Sequence, residues 1–198
     1  MPNKTREKLI DVARRLFARK GIENTTMAEI ASASDKGRRT IYTYFRSKTE
    51  IYDAVLESES EKIIERLREA YALDIPPLKK LHRFIVLRCE ILRMESESVF
   101  SPSEMQRSLF NRDNKRYERI TQLALEKERA MWNGIMLQCL DLPEVDRRQL
   151  ARLKVVMPLL QQGIDISFIH NNYSAIGIDK ASYPNMVADF LINAILKK

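Results

Sequence analysis

Arg38, Arg39, Thr40, Tyr42 and Thr43 stand together in the run RRTIYTYFRSK. They offer two guanidinium forks, two aliphatic hydroxyls and one phenol within about a turn and a half of helix. Guanidinium groups pair in a bidentate way with phosphates or with the guanine edge, and hydroxyls donate to phosphates, so such a set fits a polyanionic surface. The intervening residues Ile41, Tyr44 and Phe45 fall at the i, i+3, i+4 spacing of one helical face, which predicts a short helix with an apolar back and a cationic, hydroxyl-bearing front. Thr26 followed by Glu29 is a capping-box signature and opens an earlier helix with Met27, Ile30 and Ala31 inward. Between the two, Asp35, Lys36 and Gly37 supply turn chemistry. Two short helices joined by a few residues, the second facing outward with its polar groups, fit a helix-turn-helix over about 26–45 that enters the major groove of DNA.

Other chemistries lack their residues. His82 and His170 are isolated and form no HExxH or other metal-ligand spacing. No GxGxxG, Walker loop or GxSxG elbow occurs, and 5 glycines leave little room for a phosphate cradle. Glu126 and Glu128 read as members of a charged, solvated helical face. Neither catalysis, a metal nor a cofactor is therefore expected. Cys89 and Cys139, without CxxC spacing, read as reduced thiols packed as small hydrophobes.

The net charge of +7 is uneven. Residues 1–50 hold 12 Lys or Arg against 6 Asp or Glu, a balance of +6 that leaves +1 for the remainder. Only the first quarter is thus suited to a polyanion. MPNKTREK has no apolar signal region and no run reaches the length of a membrane span, so a cytoplasmic protein with no membrane partner is expected.

Over roughly its first fifty residues the chain resembles TetR-type transcriptional repressors. The resemblance rests on LFARKGIENTT at the end of the first helix, on AEIA, and on RRTIYTYFRSK, similar to that family's Thr-Leu-Tyr-x-Tyr-Phe-x-x-Lys pattern. The chain departs from it at Asp35, Lys36 and Gly37, where Gly-Val-Ser is usual, and at Arg39, where Gly is frequent. The resemblance implies a homodimer whose last two helices pair as a four-helix bundle, and a cavity whose small-molecule effector tilts a long helix and separates the readers. It also implies that the Tyr44 hydroxyl contacts the DNA backbone, whereas its place in the periodicity argues for packing.

The remaining elements follow from periodicity and caps. A first helix runs from Thr5 to Gly21 and gives the short reader helices something to pack on. Ser47 with Glu50 marks a second capping box, opening a long helix to about Ala72 that we expect to act as the lever. Helix starts at Thr26 and Ser47 expose unpaired N–H groups, and with Lys48 they form phosphate clamps flanking the reading helix. Further helices are predicted after Pro77, from Ser101 to Phe110, from Asn114 to Leu140, from Glu144 to Asn171 with Pro158 inside, and from Tyr183 to Lys197. That makes an all-α chain of about nine helices, with a DNA-binding domain over 3–63 and an effector-binding and dimerisation domain over 64–198.

The DNA-contacting set expected is Thr26, Lys36, Gly37, Arg38, Arg39, Thr40, Tyr42, Thr43, Tyr44 and Lys48. Apolar stripes wider than one chain needs put Leu160, Ile164, Phe168, Val187, Phe190, Leu191 and Ile195 at a dimer interface. For an effector, the soft and aromatic middle helices suggest His82, Phe84, Phe110, Gln122, Met131, Trp132 and His170. The expected partners are an operator in double-stranded DNA, a second copy and a small apolar effector. Two rival readings are a non-specific DNA-packaging protein and an α-helical small-molecule enzyme or carrier.

Overall fold

Turn chemistry interrupts the apolar periodicity at a few places, and helices fill the intervals. The computed structural model describes residues 2–95, 114–169 and 171–197, and over these the chain is all-α. The helices are α1 (Pro2–Lys20), α2 (Met27–Ala33), α3 (Arg38–Tyr44), α4 (Lys48–Ala72), α5 (Pro77–Glu95), α6 (Asn114–Cys139), α7 (Arg147–Ile169) and α8 (Tyr183–Asn193). A 3₁₀ turn at Asn172–Ile176 precedes α8. The short helix expected from Ser101 to Phe110 lies outside the described residues, as does His170. Among the described residues no helix is long and apolar enough to cross a membrane.

The chain divides into two compact units. In the first, which includes α1 to α3 and α4 as far as Lys62, Leu9, Val12, Ala13 and Phe17 of α1 close over Ile30, Ile41, Phe45, Ile51 and Val55. Phe17 meets Tyr52 edge-on with centroids 5.8 Å apart. Gly21 takes φ +79, a left-handed conformation suited to glycine, and its N–H returns to the Phe17 carbonyl at 2.8 Å, which ends α1.

The second unit gathers the rest of α4 with α5, α7, α8 and α6 from Ala124 onward. Its core contains Ile64, Leu67, Leu81, Phe84, Met131, Trp132, Ile135, Leu150, Met157 and Leu191. A smaller cluster of Cys89, Phe168 and Tyr173 stacks against Tyr183 and pins the segment between α7 and α8. Both cysteines are buried thiols, each pushed up to about 11 by burial.

Helix boundaries differ from expectation at several places, and α1 begins at Pro2, so Thr5 lies inside it and does not cap it. α7 begins at Arg147 rather than near Glu144, because the Asp146 carboxylate accepts from the N–H groups of Arg148 and Gln149 at 2.8 and 3.1 Å. α8 stops at Asn193 rather than Lys197. Its continuation is diverted into pairing: Asp146 N–H donates to Ile195 O at 2.8 Å and Lys197 N–H to Glu144 O at 2.9 Å, with Val145 bridging Leu196.

Phe45 is 1 % exposed and sits where α3 ends. Phe45→Ala is expected to cost the first unit about 3–5 kcal/mol through the lost transfer energy and the cavity. Urea denaturation measures it, and a cost below about 1 kcal/mol would mean that neighbouring side chains collapse into the space.

Candidate nucleic-acid interface

The start of α2 is fixed by a reciprocal pair of bonds. Thr26 N–H donates to the Glu29 carboxylate at 2.8 Å, and Glu29 N–H donates to Thr26 Oγ1 at 3.2 Å. At the other end Ser34 and Lys36 return their N–H groups to Ile30 and Ala31. Asp35, not Gly37, takes the left-handed conformation of the turn, with φ +54. Gly37 instead has φ −66 and caps α3 from an extended conformation. A Cβ there would meet nothing nearer than Thr40 Oγ1 at 4.0 Å, so the absence of a side chain leaves open space in front of the helix.

α3 then divides its residues as the spacing predicts. Ile41 is completely buried, and Tyr44 is half-buried against the first core. Arg38, Arg39 and Thr43 are exposed, Tyr42 is 44 % exposed, and Lys36 and Thr40 are partly so. Thr43 Oγ1 donates back to the Arg39 carbonyl at 3.2 Å. Among the described residues no carboxylate pairs with Lys36, Arg38 or Arg39.

The acids of this region are held by α1. Lys20 pairs with Glu29 at 2.5 Å and Lys8 with Asp35 at 2.8 Å. The Lys20 bond, with those from Thr26, brings the Glu29 carboxyl down from 4.5 to about 2. The Lys8 bond holds Asp35 below its usual value. These contacts neutralise two negative charges on the elements that precede α3 and leave the cations of its exposed face dominant. Arg6 also lies over the Phe45 ring, 5.3 Å from the centroid. The sequence reading missed these α1 residues because their partners lie 9 to 27 positions away.

The start of α4 is capped with a shifted geometry. Glu50 N–H donates to Ser47 Oγ at 3.2 Å, but the Glu50 carboxylate accepts from Arg46 N–H at 2.6 Å rather than from Ser47. Lys48 reaches the Glu23 carbonyl at 3.2 Å, tying the start of α4 to the loop after α1.

The expected effector residues separate. Phe84 and Trp132 meet edge-on at 5.2 Å, beside Met131 in the core. Gln122 is exposed. His82 pairs with Asp189 at 3.3 Å and borders an open depression of about 280 Å³ with Leu78, Lys79 and Ile192. Phe110 and His170 lie outside the described residues.

A buried polar cluster was not foreseen. Arg88 of α5 pairs with Glu128 of α6 and with both carboxylate oxygens of Asp165 on α7, and Gln161 donates to Glu128 at 2.5 Å. Glu128 is 6 % exposed, which corrects its reading as part of a solvated face. The signal was present: Glu128 is followed at i+3, i+4 and i+7 by the buried Met131, Trp132 and Ile135.

The expected dimer set also divides. Phe168, Leu191 and Ile195 are buried within the chain's own cores, which corrects their placement on a partner-facing surface. Ile164 and Val187 are half-buried, while Leu160 is 40 % and Phe190 74 % exposed. Val155, Leu159 and Met186 are exposed on the same two helices.

Residues 9–55 match the family described as bacterial regulatory proteins, tetR family. The chain is 30 % identical over 133 residues to the HTH-type transcriptional regulator AcrR of Shigella flexneri. That alignment covers 60 % of this chain and 61 % of the relative, less than two thirds of its length. The fold is similar to that of the transcriptional regulator FadR from Bacillus subtilis, solved with stearoyl-CoA. There the TM-score is 0.65 at 20 % identity, covering 96 % of this chain and 98 % of FadR. SmeT, the repressor of the Stenotrophomonas maltophilia multidrug efflux pump SmeDEF, gives a TM-score of 0.67 at 17 % identity, covering 98 % and 91 %.

The lowered carboxyl of Glu29 sets an acid dependence. Its contribution to folding is present above the unfolded value near 4.5 and is lost as pH falls through about 2. Thermal melting across that window is expected to show a steeper acid loss for the unmodified chain than for Glu29→Gln. Parallel curves would show that the pair with Lys20 contributes nothing to stability.

Proposed function

With residues 9–55 belonging to the tetR family of bacterial regulatory proteins, we propose that the chain is a dimeric, sequence-specific repressor that leaves its operator when a small, largely apolar molecule binds the second unit. The observation that carries the DNA-reading role is the division of α3: Ile41 and Phe45 anchor its back while Arg38, Arg39, Tyr42 and Thr43 remain exposed. In this reading Lys36, Arg38, Arg39 and Thr40 meet base edges or adjacent phosphates. Thr26, Tyr42, Thr43, Tyr44 and Lys48 serve mainly the backbone, and Gly37 gives the helix start close access to it. Lys48 acts as a phosphate clamp beside α3, whereas the Glu29 and Glu50 N–H groups at the flanking helix starts are taken by the Thr26 and Ser47 side chains.

One seven-residue helix spans few base pairs, and a second copy about one DNA turn away, ~34 Å, doubles the site read. Leu159, Leu160, Met186 and Phe190 are the apolar surface we assign to that copy, with Ile164 and Val187 at its margin. The domain boundary falls near residue 63 of α4. Ile51 and Val55 of this helix belong to the first core and Ile64 and Leu67 to the second, so α4 is the element that carries an effector's influence. Phe84, Met131 and Trp132 are the walls proposed for the effector site, because the buried Trp132 indole N–H meets no acceptor among the described residues.

Footprinting on random-sequence duplex pools tests the central claim. One enriched, partly palindromic site supports it, whereas equal protection of all sequences with steep salt dependence would indicate non-specific packaging. Arg39→Ala is expected to relax preference at one position of each half-site by about 1–3 kcal/mol, and a uniform loss would mark a phosphate contact instead. Phe190→Glu should shift the chain from dimer to monomer in sedimentation, with the fold retained by circular dichroism. An unchanged dimer would remove α8 from the interface.

A further inference from the structure

The cluster at Arg88 has an uneven charge count. One guanidinium faces two carboxylates drawn from two other helices, and their side chains are 13 % exposed for Arg88, 8 % for Glu128 and 13 % for Asp165. Arg88 Nε donates to Glu128, and its terminal nitrogens donate to the two oxygens of Asp165. The nearby titratable and charged groups are few. Among the described residues, Cys89 and Glu90 adjoin Arg88 on α5, Glu128 is the group of α6 that meets it, and on α7 Asp165 meets it while the neutral Gln161 donates to Glu128. Tyr173 and Tyr183 pack beside Cys89 and Phe168, and burial raises the Tyr173 phenol above its usual value. Among the described residues no second cation reaches either carboxylate. Among the described residues, with every group in its usual state, the cluster carries one more negative than positive charge in the interior, which is costly in a medium that solvates ions poorly.

We propose that Asp165, which shares the single Arg88 guanidinium with Glu128, is a proton-binding switch, taking up one proton that neutralises the cluster and tightens the packing of α5, α6 and α7. Burial raises the Asp165 carboxyl above its usual value, opposed by Arg88 and reinforced by Glu128, as this charge count requires. Arg88 stays charged throughout: burial disfavours its charge, but the two carboxylates outweigh that and raise it. The sign follows. A carboxyl raised in the folded state is protonated there at pH values where the unfolded chain has already lost the proton. Stability is then greatest at the acidic side of that window and falls as pH rises through the folded midpoint.

The test uses the full chain. The carboxyl carbon of Asp165 is followed by ¹³C NMR as pH is raised from the ordinary carboxylate range, and the urea midpoint is measured in parallel. That carbon should titrate above the ordinary range. The urea midpoint should fall through the same interval, and Asp165→Asn and Glu128→Gln should each flatten that slope, since each leaves a neutral pair with Arg88. Titration of the Asp165 carbon within or below the ordinary range would overturn the proposal, whether or not either variant folds. So would variants that fold and keep the slope of the unmodified chain.

Discussion

A seven-residue helix cannot hold itself together in water, because nucleation costs more than one or two turns of hydrogen bonds return. Everything proposed for α3 therefore depends on the burial of Ile41 and Phe45 against α1 and the start of α4. These two side chains fix the rotation of α3 about its axis, and that rotation decides which residues face outward. The arginines owe their exposure to this anchoring. The same packing makes the first quarter of the chain a cooperative body instead of a string of helical fragments.

Electrostatics refines what packing sets. Lys8 and Lys20 of α1 pair with Asp35 and Glu29, carboxylates of the helix and turn that precede α3, and so keep them from cancelling Lys36, Arg38 and Arg39. Surface pairs of this kind add little to stability. Their larger effect is on the sign and direction of the local field, which steers a polyanion toward one side of the molecule. In the second unit the balance is reversed: Arg88 is outnumbered by carboxylates and the pairing is internal, so its consequences are for the packing of three helices.

Much of the fold was legible because helical signals are local. The Thr26 and Glu29 cap, the Ile41 and Phe45 stripe and the long run of α4 each involve residues within a few positions of one another, and each has the predicted form. Ser47 and Glu50 were legible in part: the hydroxyl bond is made, but the carboxylate turns to Arg46. Glu128 was misread because a carboxylate on an apolar stripe was assigned by its charge and not by its phase. Phe168, Leu191 and Ile195 were assigned to a partner because sequence shows that a stripe is apolar without showing what covers it.

The sequence by itself determined an all-α chain, its reading helix and the outward cations of that helix, since caps and 3.6-residue periodicity act between neighbours. Tertiary structure alone decided which apolar residues are consumed internally and which charges are paired. Arg88 meets partners 40 and 77 positions away, and the end of the chain abandons its helix to bond with Glu144 and Asp146. Such pairings depend on how whole helices pack, and no local pattern encodes the packing.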